Sequence, residues 1–116
     1  MPRYWYRIIL GAEPVLEDFM SHADLGREFR PPRTARRERM YRGVSVYDTL
    51  DAAFIRLQSL KPDHQGIAAL AITEGAFPIE QTTVDPRHHT VWAPAGAIEQ
   101  HVHWILTVRA TGRVTR

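Results

Sequence analysis

The apolar run over residues 66–73, GIAALAIT, constrains the fold of this chain more than any other segment. A short, unbroken apolar run of this kind is typical of a strand that is covered on both faces. Such a strand needs paired neighbours and further layers of structure, so we expect a domain built around a sheet. The longest wholly apolar stretch, residues 67–72, is far too short to span a membrane.

The remaining periodicity adds further strands and a few short helices. Segments rich in aromatic and β-branched residues, with side chains alternating between two faces, predict strands. An apolar stripe that follows a capping residue, Asp48, predicts a helix. Strands are predicted at residues 4–10, 43–47, 66–73, 77–82, 89–92 and 101–109, and helices at residues 15–22, 48–60 and 95–100.

This order predicts an α+β fold, with a mixed or antiparallel sheet and two or three short helices. The length fits a single domain. We therefore predict one domain over residues 1–110, with a mobile Arg-rich loop at residues 27–42 and a basic tail at residues 111–116.

Charge and cysteine content narrow the function classes. Residues 27–42 hold seven Arg and two Glu, a net +5, whereas the whole chain is +2 and the remainder therefore −3. Such a segment predicts contact with nucleic acid or a protein, through Arg33, Arg36, Arg37 and Arg39, or else a solvated connector. The chain has no cysteine, and its first residues lack the apolar core of a signal peptide, which favours the cytoplasm.

Arg7 is unusual because it lies in the middle of a predicted strand, between apolar neighbours. A guanidinium group there needs an anionic or carbonyl partner, because a buried unpaired charge is costly. Two interpretations follow: an anchor for a phosphate or carboxylate, or an edge-strand Arg that extends its charge into water.

Ser45, Tyr47 and Thr49 form a second candidate group. Strand alternation places Ser45 and Tyr47 on one face, with Thr49 at the turn into the next helix. The face could hold a ring by stacking on Tyr47 and hydrogen bonding to the hydroxyls, or it could be a half-exposed strand followed by a helix cap.

Histidines supply the remaining candidates. His88 and His89 point to opposite sides of an extended chain, so either could act as a base or a phosphate donor, but not both on one metal. His101 and His103 share a strand face and could bind a metal, yet no third ligand follows at suitable spacing. We predict no metal site, and no phosphate-binding glycine loop or hydrolase motif occurs in the sequence.

Several short segments resemble the compact ADP-ribosyltransferase fold, which includes rifampin ADP-ribosyltransferase and RNA 2′-phosphotransferase. They are Tyr6-Arg7 on the first strand and residues 18–21, 42–47, 52–53 and 88–92. In that superfamily a first-strand Arg or His contacts the dinucleotide, a second strand leading into a helix lines the nicotinamide pocket, and a later strand completes the site.

The resemblance implies an NAD-dependent transferase that moves ADP-ribose to an unknown acceptor. Arg7 would match the first position, and Ser45 or Tyr47 the second, with Thr49 beside them. The third position is usually acidic, and here the candidates are Glu80 and the pair His88 and His89. The alternative is a non-enzymatic module that binds nucleic acid or protein through residues 27–42.

Overall fold

A computed structural model describes residues 2–11, 13–60 and 64–108. The predicted basic tail therefore lies outside the described residues. The elements in chain order are β1 (Pro2–Ile9), a 3-10 helix (Leu16–Phe19), α1 (Ala35–Tyr41), β2 (Val44–Tyr47), α2 (Leu50–Gln58), β3 (Gly66–Thr73), β4 (Ile79–Gln81), β5 (His88–Val91), a second 3-10 helix (Ile98–His101) and β6 (Val102–Thr107).

The strands form one six-stranded sheet in the order β4-β5-β2-β1-β3-β6. Every neighbouring pair is antiparallel, which confirms the α+β class and settles the sheet as antiparallel in the described residues. The apolar run forms β3 as predicted, between β1 and β6. Because β3 lies inside the sheet and is covered on both sides, its residues are almost all buried.

Each face of the sheet is covered by different elements. On one face the two 3-10 helices contribute Phe19 and Ile98 to the larger core cluster. On the other face α2 packs Ala53 and Leu57 against Tyr47 and Ile67. The larger cluster comprises Trp5, Ile9, Phe19, Val44, Val46, Ala68, Leu70, Ile72, Val91 and Ile98.

The prediction of one continuous loop over residues 27–42 is wrong for its second half, which forms α1. Thr34 begins this helix, and its hydroxyl accepts a hydrogen bond from the Arg37 amide at 3.2 Å. No residue of α1 is buried. A helix without an apolar stripe leaves no periodic signal in the sequence, so pattern analysis could not find it.

Two other predicted helix limits are also corrected. The N-cap of α2 is Thr49 rather than Asp48, and Thr49 Oγ1 accepts from the Ala52 amide at 3.1 Å. Asp48 instead accepts a hydrogen bond from Arg87 Nη1 at 3.0 Å. The helix predicted at residues 15–22 is the short 3-10 helix Leu16–Phe19.

The predicted alternation of the last strand fails because of a bulge where β6 pairs with residues 69 and 70 of β3. Val102 and Ile105 both pack on the larger core cluster. Trp104 and Leu106 are exposed, at 37% and 38%. One extra residue in a bulge reverses the faces that follow it, so strict period-two counting assigned these side chains to the wrong sides.

Gly43 joins α1 to β2 at a point with no room for a side chain. A Cβ there would lie 2.3 Å from Thr90 Cγ2 and 3.0 Å from the Val91 carbonyl oxygen. The close approach of the chain at this position fixes where α1 stands relative to β2 and β5.

Candidate functional site

The sheet separates between β1 and β2. β1 pairs with β3 along its whole length, whereas it pairs with β2 only where Tyr6 faces Tyr47. The other residues of β2 pair with β5. Past the Tyr6–Tyr47 pair the two strands diverge, and a cavity of about 460 Å³ opens between them, lined by Arg7, Ser45 and neighbouring residues.

Arg7 lies in this opening and bridges its two sides. Its Nε donates to the Asp18 carbonyl at 2.8 Å, and its Nη1 donates to the Ser45 carbonyl at 2.9 Å. β1 is an interior strand, so the interpretation of Arg7 as an edge-strand residue is wrong. Burial lowers the pKa of Arg7, and nearby Asp18 partly offsets this. The anion-anchor interpretation stays a prediction.

The turn that follows β1 explains why the Asp18 carbonyl meets Arg7. The carboxylate of Asp18 accepts hydrogen bonds from the amides of Leu10 at 3.1 Å and Val15 at 2.9 Å. These bonds close the segment between β1 and the 3-10 helix. The carboxylate is therefore occupied by backbone donors, while the carbonyl of the same residue is directed at the guanidinium group.

The opening continues outward into a second cavity of about 550 Å³. We call the space beside Arg7 the inner cavity and this second space the outer cavity. They share four wall residues, His22, Arg27, Met40 and Ser45. In the outer cavity the rings of Phe29 and Tyr41 stack with centroids 4.9 Å apart.

The walls carry more positive than negative charge. Arg7 and Arg27 line the inner cavity, and Arg27, Arg30 and Arg37 line the outer one. The acidic residues on these walls are Glu17, Asp18 and Glu28. Guanidinium groups bind phosphate and carboxylate oxygens in a bidentate manner, so the two cavities together favour an anionic ligand.

His22 stands where the two cavities meet. Its Nδ1 lies 3.1 Å from Arg27 Nη1. Partial burial, Arg27 and Arg7 all lower the pKa of His22. No local pattern singles out this histidine, because its neighbours in space come from β1, β2 and the segment before α1.

The predicted nicotinamide-binding residues do not all line the cavities. Ser45 lines both of them. Tyr47 lines neither cavity; it packs against α2 and is 8% exposed. Burial raises the pKa of Tyr47. Thr49 caps α2, so in this structure its hydroxyl serves the helix.

The two candidate catalytic histidines line neither cavity. His88 is buried beside Tyr47, and its Nδ1 lies 3.4 Å from Thr82 Oγ1. Burial lowers the pKa of His88. His89 packs against Trp5 with ring centroids 4.9 Å apart and lines a separate cavity of about 340 Å³.

The four arginines predicted to bind nucleic acid or anions are all exposed. Of these, only Arg37 lines the outer cavity. Arg39 forms an ion pair with Glu80 and lies over the ring of Trp92, 4.8 Å from its centroid. Glu80, the candidate acidic residue for the third position, is thus engaged with Arg39. Arg33 Nε donates to the Phe29 carbonyl at 3.0 Å.

The candidate metal ligands His101 and His103 contact groups within the protein. His101 Nδ1 lies 3.2 Å from the Ala71 carbonyl, and the ring of His103 lies beside Tyr4. Within residues 2–11, 13–60 and 64–108, no three His, Cys, Asp or Glu side chains converge as metal ligands. No helix in the same ranges is long and apolar enough to cross a bilayer.

No protein-family model, curated protein sequence or solved structure matches this chain.

Proposed function

We propose that this chain binds a dinucleotide such as NAD across the inner and outer cavities and transfers its ADP-ribosyl group. The observation that carries the proposal is the position of Arg7 in a break between paired strands, at the end of a cleft with further arginines and stacked rings. A dinucleotide has both kinds of group that such a cleft could bind, phosphates for the arginines and a flat ring for the aromatic pair.

The donors of Arg7 fit a phosphate or ribose contact. A guanidinium group has five N–H donors, and two of its nitrogens are bound to the Asp18 and Ser45 carbonyls. These bonds hold the group in one orientation, so its remaining donors are fixed in direction before the ligand arrives. Donors fixed in advance favour binding because less conformational entropy is lost.

The outer cavity fits the other end of the ligand. Phe29 and Tyr41 offer a flat apolar surface, and Arg30 and Arg37 stand on the same walls. An adenine ring can pack on such a surface, and arginines there can neutralise phosphate charge. Ser45, which lines both cavities, would contact the middle of the ligand.

ADP-ribosyl transfer breaks the bond between the ribose C1′ atom and the nicotinamide nitrogen. Nicotinamide leaves with the bonding electrons, and an acceptor oxygen or nitrogen forms the new bond at C1′ and loses its proton. The positive charge that develops on the ribose is stabilised by the adjacent phosphates, so positioning supplies much of the rate. Roles for Tyr47, His88 and His89 in this step stay predictions.

Calorimetry with NAD tests the binding step, and two adjacent arginines supply a matched pair of variants. Arg37 lines the outer cavity, whereas Arg36 is exposed on the same helix and lines neither cavity. We expect saturable binding to the wild type, a loss of about tenfold to a hundredfold in Arg37→Ala, and no change in Arg36→Ala. No heat and no thermal shift at millimolar NAD would refute the proposal.

The chemical step has a simple readout that needs no known acceptor. Water can replace the acceptor, and then free nicotinamide and ADP-ribose accumulate when the protein is incubated with NAD. Nicotinamide release above the uncatalysed rate, measured by chromatography, supports a transferase. Tight NAD binding without any release would instead support a dinucleotide-binding module.

A second candidate function is the binding of single-stranded nucleic acid on the Arg-rich surface of α1 and the segment before it. The observation that favours it is the combination of exposed arginines with the Phe29–Tyr41 pair, since single strands are held by arginines and stacked aromatics. Here Arg36→Ala should weaken binding as much as Arg37→Ala, and affinity should fall steeply with salt. The Arg36 variant thus separates the two functions.

A further inference from the structure

The contact between His22 and Arg27 defines the protonation state of the histidine. Arg27 Nη1 lies 3.1 Å from His22 Nδ1. A guanidinium group can only donate hydrogen bonds, so Nδ1 of His22 must be the acceptor and cannot carry a proton. The ring in this contact is neutral, and its proton is on Nε2.

The surroundings keep the ring neutral. Partial burial, then Arg27 and Arg7, lower the pKa of His22. The other titratable groups on the walls of the two cavities are Glu17, Asp18, Glu28, Arg30, Arg37, Tyr41 and His64. The Asp18 carboxylate already accepts two backbone hydrogen bonds, so it is directed at the turn rather than at the imidazole.

We infer that His22 donates a hydrogen bond from Nε2–H to a phosphate or ribose oxygen of the bound ligand, where the inner cavity meets the outer one. Arg27 fixes the tautomer that makes this donation. His22 is shared by both cavities and adjoins Ser45 on their walls. The inference deepens the proposed function and rests on it, because the oxygen belongs to the dinucleotide.

Protonation of His22 would break its contact with Arg27. The added proton would lie on Nδ1, which faces Arg27 Nη1 at 3.1 Å. Binding is therefore measured at about pH 8, above the ordinary pKa of histidine, where the ring is neutral.

Three proteins test this inference: the wild type, His22→Gln and His22→Ala. The amide of Gln supplies a neutral donor near the place of Nε2, whereas Ala supplies none. At about pH 8 we expect His22→Gln to stay within about threefold of the wild-type affinity for NAD and His22→Ala to lose about fivefold to twentyfold.

The tautomer is measured separately, without ligand, by nitrogen-15 NMR of the histidine ring at about pH 8. A proton on Nε2 in the wild type, with loss of a single tautomer in Arg27→Ala, supports the inference. A proton on Nδ1, or wild-type affinity in His22→Ala, overturns it. No NAD binding by the wild type overturns the proposed function and with it the ligand contact, whereas the tautomer result still decides the role of Arg27.

Discussion

Replacing Arg7 with alanine should lower the free energy of unfolding by about 2–4 kcal/mol. The guanidinium group joins the Asp18 and Ser45 carbonyls on opposite sides of the opening between β1 and β2. Each hydrogen bond to a charged group contributes about 1.5–3 kcal/mol. Two such bonds give about 3–6 kcal/mol. The expected loss is smaller than this sum, because burial of the charge opposes the gain, as the lowered pKa of Arg7 indicates.

Urea unfolding, followed by tryptophan fluorescence, measures this loss. Arg7→Met keeps most of the apolar stem without donors, so it separates the hydrogen bonds from the packing of the side chain. We expect Arg7→Met to be nearly as unstable as Arg7→Ala. The stability of Arg7→Lys should be intermediate, because one compact ammonium group cannot reach both carbonyls as the wider guanidinium group does.

An Arg7→Met variant within about 0.5 kcal/mol of the wild type would refute this reasoning. It would mean that water satisfies both carbonyls and that the bridge contributes little. The outcome also bears on the NAD experiment. A loss of about 2–4 kcal/mol is a large part of a typical total of about 5–15 kcal/mol, so the binding of Arg7 variants must be measured on samples shown to be folded.

Two further predictions concern packing and pH. Gly43→Ala should lower the free energy of unfolding by about 1–3 kcal/mol. In the control Gly11→Ala the nearest atom to the new Cβ would be 3.6 Å away, so the free energy of unfolding should change by less than about 0.5 kcal/mol. Equal effects of the two variants in urea unfolding would contradict the close approach at Gly43. Burial lowers the pKa of His88, so the unfolded state binds more protons and stability falls as the pH drops below about 6.5. His88→Asn should flatten this decline without abolishing it, because the lowered pKa of His22 has the same sign; an unchanged slope would exclude His88 as a contributor.

Most of the sheet could be predicted from local patterns. β3 is an unbroken apolar run, β1 is rich in aromatic and β-branched residues, and α2 has an apolar stripe, so each carries its own periodic signal. Elements without such a signal were missed or misplaced. α1 buries nothing, and the bulge in β6 changes the faces of that strand through a pairing irregularity.

The candidate site could be predicted only in part. Arg7 and Ser45 were found because polar residues stand out within strands, and both line the inner cavity. His22 and Arg27 were missed because they lie in an irregular segment, where no regular periodicity indicates which way a side chain points. The separation of β1 from β2 is set by pairing with β3 and β5, which a single sequence does not reveal.

The same separation divides the strand pairing of the sheet into two groups, although the core packs across both. β4, β5 and β2 form one group, and β1, β3 and β6 form the other, with Tyr6–Tyr47 as the only paired residues between them in the described part of the chain. We call these two groups of strands the two units and their boundary the seam. Backbone amides beside this seam should exchange with solvent faster than those inside either unit. A ligand seated in the inner cavity would contact both units at once, so it would act as a clamp and slow exchange on both sides of the seam.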